Sequence, residues 1–261
     1  MSARPPRVLA IAGSDSSGGA GIQADIKTIT MLGGYAMTAI TAVTAQNSRG
    51  VRGVEALTPD FVAAQIDACL EDIGVDAVKI GMLGSADIAE VVADRLEDLP
   101  CPIVFDPVMV ATSGSVLADA ATIAVFDWLM ELATLTTPNV PELAALGGAA
   151  GMAGRNGGRG VAYLAKGGDA DGPMVEDRLV RPGMADVLWT EARIVTKHTH
   201  GTGCTLSSAV ATHLARGLPL EEAVAQARHF VREALKHAPG FGLGHGPLGH
   251  QAVRPADPVS R

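Results

Sequence analysis

The chain has 261 residues and a formal net charge of −8, with 20 Lys and Arg against 28 Asp and Glu. That balance excludes a basic field for nucleic acid or anionic lipid, so an anionic substrate has to be met by a local device. A hydrophobic share of 48% with 18% charged residues excludes disorder and predicts a globule that needs no disulfide or metal staple.

From the N-terminus, the apolar run 8–12 ending at Gly13 reads as a buried parallel strand. A Gly/Ser loop leads into a helix with Ile22, Ile26, Ile29 and Leu32 on one face, stopped by Gly33-Gly34. Residues 35–45 read as a second strand, and Thr58-Pro59 carries the N-cap and N1 signature of a helix to about Ile73. A strand over 77–80 precedes a helix that Ser85 caps and that runs through Leu99. The strand 103–105 ends in Asp106-Pro107, a helix follows over 118–132, and the strand 134–137 ends in Pro138-Asn139. Half of the fourteen residues 147–160 are glycine. Glycine loses the most entropy on ordering, so this stretch is expected to be a mobile loop without a helix. A strand over 161–166 ends in Lys166-Gly167-Gly168, residues 175–180 and 188–195 pair antiparallel, and helices over 203–215 and 220–237 close the chain.

Repeated strand–helix units predict an α/β fold with a mostly parallel sheet covered on both faces. No repeat or composition break divides it, so one domain over 1–261 is expected. The cysteines Cys69, Cys101 and Cys204 form no Cys-x-x-Cys pair and suggest neither zinc nor disulfides. Cys69 and Cys101 read as core, and His213, His229 and His237 as surface. No run approaches about 18 apolar residues, and the polar start lacks a signal-peptide core, which predicts a cytoplasmic protein.

Ligands of open α/β sheets bind beyond the carboxyl ends of the strands. That rule gathers the glycine loop 13–21, Gln46, Met82, Asp106, Asn139, Glu142, Lys166 and the segment Gly201-Thr202-Gly203-Cys204. The last segment turns a polar loop into a helix. Its glycines let the backbone approach a ligand, and a helix start carries unpaired N–H donors and the positive dipole end, a device for phosphate. A thiol in that turn, Cys204, is expected to be biased toward thiolate. Asp106, Glu142 and Lys166 make a phosphoryl-transfer set, two hard carboxylates for Mg²⁺ and a point charge for phosphate oxygens. Taken singly, Asp106 also serves as a turn cap and Glu142 as a first-turn acid; the glycines behind Lys166 suggest close approach of another group. Gly19-Ala20-Gly21-Ile22-Gln23-Ala24 fits the dinucleotide pattern, but the second strand ends in Gln46 where a ribose-binding acid is needed, which argues against NAD.

Taken together, these segments resemble the hydroxymethylpyrimidine/phosphomethylpyrimidine kinases of thiamine synthesis, in the ribokinase-like superfamily. The matching text comprises the run from Ala12 to Asp25 and Thr44-Ala45-Gln46-Asn47, then Lys79-Ile80-Gly81-Met82-Leu83 and Asp106-Pro107-Val108-Met109. It continues through Thr137-Pro138-Asn139-Val140-Pro141-Glu142, Lys166-Gly167-Gly168 and Thr199-His200-Gly201-Thr202-Gly203-Cys204-Thr205. The resemblance implies a three-layer α/β sandwich, ATP and Mg²⁺ as cofactors, a homodimer, and phosphorylation of hydroxymethylpyrimidine and then of its monophosphate. It places Gly13, Ala20, Asp25, Gln46, Met82 and Val108 around the pyrimidine, with Gln46 on the ring's amino edge. Lys166 would contact the transferring phosphate and Asn139 the nucleotide. Thr202 and Gly203 would hold its phosphates, and Asp106 and Glu142 would organise Mg²⁺. Gly201 to Cys204 would form the anion hole, with Cys204 as catalytic base. Two features depart from the family: residues 147–160 stand where a helix is usual, and Asp169 stands where His is common. A vitamin B6 kinase shares the fold and the Cys-ended anion hole and is the alternative function. A non-catalytic pyrimidine-binding relative is a third reading.

Overall fold

The computed structural model describes residues 4–110, 114 and 117–253, so the two ends of the expected 1–261 unit lie outside the described residues. The first strand, β1 (Arg7–Asp15), leads into helix α1 (Gly21–Met31) and strand β2 (Tyr35–Asn47). Strand β3 (Gly50–Ala56) turns back on β2 before helix α2 (Pro59–Ala68), whose last turns widen into a π-helical segment, Cys69–Ile73. Strand β4 (Ala77–Ile80), helix α3 (Ala86–Leu96), strand β5 (Ile103–Phe105), helix α4 (Ala120–Leu132) and strand β6 (Leu135–Thr136) continue the alternation. Then come helices α5 (Val140–Ala145) and α6 (Gly148–Gly158), strands β7 (Tyr163–Ala165), β8 (Met174–Val180) and β9 (Val187–Ala192), and helices α7 (Thr202–Ala215) and α8 (Leu220–Lys236).

Among the described residues these strands form one sheet in the order β3-β2-β1-β4-β5-β6-β7-β8-β9. The six strands from β2 to β7 pair in parallel, and β3, β8 and β9 add antiparallel edges. Alternate residues of β1 face opposite layers. Leu9 and Ile11 join a core with the buried faces of α2, α3 and α4, while Val8, Ala10 and Ala12 join one with α1, α7 and α8. The chain leaves β1 toward β2 and returns on its other side as β4, so the topological switch that opens a ligand crevice falls at β1.

Local signals account for most helix starts. Thr58 caps α2 with Pro59 at N1, and Ser85 caps α3. Two expectations fail, the loop over 147–160 and His213 at the surface. Residues 147–160 are not a structureless loop: α6 forms there and breaks only at Arg155–Gly157, where Asn156 and Gly157 take positive φ. The helix is held from outside. Met152 is fully buried, Arg155 reaches Asp127 of α4 at 2.8 Å and the Leu146 carbonyl at 2.9 Å, and Asn156 N–H donates to Glu131 at 3.1 Å. Sequence reasoning assigned no element to 50–56, where β3 forms as an exposed edge strand without an alternating pattern, defined by its pairing to β2. His213, expected at the surface, is buried with no hydrogen-bond partner among the described residues, and burial lowers its pKa to about 4. His229 and His237 are exposed. Cys69 and Cys101 are half-buried against the core as expected.

Candidate active site

One cleft of about 790 Å³ runs along the carboxyl ends of the parallel strands, a size that holds a nucleotide and a small ring. It is lined by Gly13 and Ala20 around β1, Gln46 after β2, Met82 after β4, and Asp106 and Val108 after β5. Asn139 and Glu142 line it after β6, Lys166 after β7, and Gly201 to Cys204 at the start of α7. Strand ends from six places in the sequence thus converge on one wall.

At its centre Lys166 Nζ donates to Asp106 Oδ1 at 2.8 Å, and Thr137 Oγ1 donates to the same oxygen at 2.9 Å. Burial opposes the charge of Lys166, but Asp106 and Glu142 outweigh it and raise its pKa. Asp106 Oδ2 faces Gly203: a Cβ placed there would stand 3.2 Å from that oxygen and 3.3 Å from Lys166 Nζ. The absence of a side chain at 203 lets the helix start come up to the ion pair. Gly201 is a second required glycine, with φ 90° and a Cβ position that would overlap the Gly19 carbonyl oxygen. Thr202 N–H bends back to the Thr199 carbonyl at 3.3 Å, and the first regular helical bond starts from Thr205 N–H. Among the described residues the open donors of the anion hole are therefore the N–H groups of Gly203 and Cys204.

Asn139 and Glu142 form a capping box on α5: Asn139 Oδ1 accepts Glu142 N–H at 2.8 Å, and Glu142 Oε2 accepts Asn139 N–H at 2.9 Å. Burial, and then the neighbouring Asp106 charge, raise the Glu142 pKa to about 7, against the pull of Lys166 and the N–H groups of Asn139 and Met109. No group of three His, Cys, Asp or Glu able to hold a metal occurs among the described residues. Asp106 and Glu142 supply two hard oxygen ligands, which suits an ion that completes its shell with waters and phosphate oxygens.

Three expectations change. Cys204 is not poised as a thiolate: burial pushes its pKa up to about 11, and the Asp25 and Asp106 charges add to burial while Lys79 and the Gly21 N–H oppose it. Desolvation and two carboxylates from remote elements outweigh the helix start. Asp25 does not line the cleft. Its carboxylate is fully buried beneath α7, bonded to Lys79 Nζ at 2.9 and 3.0 Å and to Ser208 Oγ at 2.7 Å. The close approach behind Lys166 comes from the protein itself, because Gly167 packs on the Glu176 carbonyl of β8.

Sequence reasoning also missed residues. Asp15, at the end of β1, gathers the N–H groups of Ser17, Gly19 and Ala20; an acid followed by six small residues at a strand end is the local signal for that. Asp177 of β8 accepts Gly167 N–H at 2.9 Å and Arg228 Nε at 2.7 Å, and so ties the turn after Lys166 to α8. Arg228 sits among the apolar positions of α8, and no motif marks it.

A family model described as phosphomethylpyrimidine kinase matches residues 15–249. The chain belongs to that family. This kinase is 46% identical to the hydroxymethylpyrimidine/phosphomethylpyrimidine kinase of Synechococcus elongatus, over 94% of this chain and 97% of the relative. Its fold is similar to the phosphomethylpyrimidine kinase of Clostridium difficile 630, at TM-score 0.73 and 37% identity over 88% of this chain and 99% of that one. It is also similar to the Bacillus subtilis pyridoxal kinase solved as an ADP complex, at TM-score 0.83 and 34% identity over 95% and 98% of the two chains. The expected ribokinase-like architecture is borne out, and no helix of the described residues is long and apolar enough to cross a membrane.

Proposed function

We propose that this kinase transfers the γ-phosphoryl group of ATP to the hydroxymethyl oxygen of 4-amino-5-hydroxymethyl-2-methylpyrimidine. It then phosphorylates the resulting monophosphate, giving the diphosphate used in thiamine synthesis. The observation that carries this reading is one cleft lined by Gln46 and Met82 together with Lys166, Gly203 and Cys204, in a chain of the phosphomethylpyrimidine kinase family.

In this reading Gly13, Ala20, Met82 and Val108 close around the ring, and Gln46 pairs with its amino edge through one donor and one acceptor. Val175, Ile194, Val231 and Leu235 make an apolar wall for the nucleotide base at the far end of the cleft. Asn139, Thr202 and Gly203 hold the phosphates. Lys166 moves with the transferring phosphoryl group, and the Gly203 and Cys204 N–H groups receive its charge, so the reaction is driven by placement and electrostatics. Asp106 and Glu142 would hold Mg²⁺, which when bound would supply charge neutralisation to the phosphates. The Cys204 thiolate, the minor form below its pKa of about 11, accepts the hydroxyl proton as the new O–P bond forms and becomes the thiol. The whole is one domain over 1–261, placed in the cytoplasm. It works as a homodimer, the state that the family resemblance implies.

The likeness to pyridoxal kinases favours vitamin B6 kinase activity as the second reading. ADP release measured with hydroxymethylpyrimidine, its monophosphate, pyridoxal and pyridoxine separates the two. We expect kcat/KM for the pyrimidine alcohol to exceed that for either B6 vitamer. The reverse order makes this a B6 kinase, and no turnover of any alcohol makes it a binding protein.

A further inference from the structure

Gln46 touches a buried cluster that the phosphoryl chemistry does not use. His200 Nε2 lies 2.8 Å from Asp15 Oδ2, and both side chains are nearly inaccessible. His200 packs on Gly19, where any Cβ would overlap the imidazole. Burial works against the Asp15 charge, yet the bonds from His200, the Ala20 N–H and Ser17 hold its pKa down at about 2. Asp15 is therefore an acceptor only, and His200 Nε2 carries a hydrogen.

The same Nε2 stands 3.4 Å from the amide nitrogen of Gln46, so two donors face each other. At the other end of the amide, Gln46 Oε1 lies 3.2 Å from Thr44 Oγ1, whose single hydrogen has a closer acceptor in the Ser14 carbonyl at 2.9 Å. With that orientation the contact with His200 lacks an acceptor and the contact with Thr44 lacks a hydrogen. Turning the carboxamide end for end moves no other group and relieves both contacts: the oxygen then takes the weaker share of the His200 Nε2 hydrogen, whose nearer acceptor is Asp15, and the nitrogen donates to Thr44 Oγ1.

We infer that the Asp15–His200 pair and Thr44 lock the Gln46 carboxamide with its oxygen toward His200 and its nitrogen toward Thr44, making His200 and Thr44 specificity-determining residues. A locked amide offers the substrate one donor and one acceptor in fixed order. A 4-aminopyrimidine edge presents a ring-nitrogen acceptor beside an amino donor, whereas its 4-oxo counterpart presents N–H and carbonyl in the opposite order. The lock accepts the first and leaves two mismatched pairs with the second. This inference rests on the reading that Gln46 faces a pyrimidine ring.

The test compares kcat/KM for hydroxymethylpyrimidine and for the same alcohol with a 4-oxo group in place of the 4-amino group. A general loss of activity cancels in this ratio, so a merely structural role of His200 would not move it. In H200A the amide is free to turn, and the amino-over-oxo preference should fall by about tenfold or more. H200Q, which can return an N–H to the same place, should keep the ratio within about threefold of the parent enzyme. If H200A does not fold, T44V removes the other anchor at nearly constant volume and should lower the ratio in the same direction. An unchanged ratio in a folded H200A or T44V overturns the lock. A parent enzyme that phosphorylates neither pyrimidine overturns the substrate reading, and the ratio of dissociation constants of the two pyrimidines, measured calorimetrically, then reads the lock by itself.

Discussion

Lys166 and Asp106 meet at 2.8 Å from strands that are 60 residues apart in sequence, and the first turn of α7 reaches them through a residue with no side chain, Gly203. Gly203 has no positive φ, so alanine is the better helix former there by about 0.5–1 kcal/mol. Its methyl would nevertheless stand 3.2 Å from Asp106 Oδ2 and 3.3 Å from Lys166 Nζ, and the flexible ammonium is the group that yields. Gly203→Ala should therefore leave the melting temperature equal or higher while kcat falls by about tenfold or more, since a misplaced catalytic group costs rate without costing stability. Thermal melts beside ADP-release rates check both halves; a variant with full kcat would remove Lys166 from phosphoryl transfer.

The high pKa of Cys204 has a kinetic consequence. If its thiolate accepts the substrate proton, kcat should keep rising with pH above 8, because the group titrates near 11. Cys204→Ala should lose on the order of 10²–10⁴-fold in kcat, with substrate affinities near normal and the alkaline rise flattened. Cys204→Asp should recover part of the rate, without that rise. A Cys204→Ala variant with undiminished kcat would make the thiol packing only.

Glu142 carries a pH dependence of opposite sign from the usual carboxylate. Its folded pKa is raised to about 7 from 4.5, so between those values the unfolded chain has released a proton that the folded one retains. The extra stability of the protonated form is present below pH 4.5 and is lost as pH rises through about 7. Glu142→Gln, which cannot ionise, should be more stable than the parent at pH 8 by roughly 2–3 kcal/mol, a difference that vanishes near pH 4. Urea melts at the two pH values measure it. In the parent protein Mg²⁺ should bind more tightly as pH rises through 7, because metal and proton compete for the carboxylate.

The buried pair of Asp25 and Lys79 predicts a stability effect where the resemblance placed a substrate contact. Removing one partner leaves an uncompensated charge in the core, so Asp25→Asn or Lys79→Met should each cost roughly 3–5 kcal/mol. The double change Asp25→Asn with Lys79→Met should cost less than the two single changes together. Any surviving Asp25→Asn enzyme should keep its KM for the pyrimidine. A normal melting curve with a raised KM would return Asp25 to the substrate pocket.

Most strands and helices were legible because their signals are local. Thr58 and Ser85 satisfy N–H groups within three residues, and the apolar period of β1 and α1 states which faces will be buried. The failures share the opposite property. Helix α6 has poor intrinsic propensity and exists because Met152 finds a core and Arg155 finds Asp127 and the Leu146 carbonyl. The exposed strand β3 exists because β2 offers it an edge.

The candidate site divides along the same line. The sequence alone determined the chemical inventory and its place at strand ends: Lys166, Asp106, Glu142, Gln46 and the glycine-flanked start of α7, whose N–H donors follow from chain geometry. Tertiary structure decided protonation and partnership. The thiol of Cys204 is held neutral by burial and by the carboxylates of Asp25 in α1 and Asp106 after β5, Asp25 is claimed by Lys79, and Asp15 and His200 meet across 185 residues. Backbone hydrogen bonding and apolar periodicity act over a few residues and can be read along a chain, whereas charge state depends on desolvation and on charges brought together by packing, which no local pattern carries.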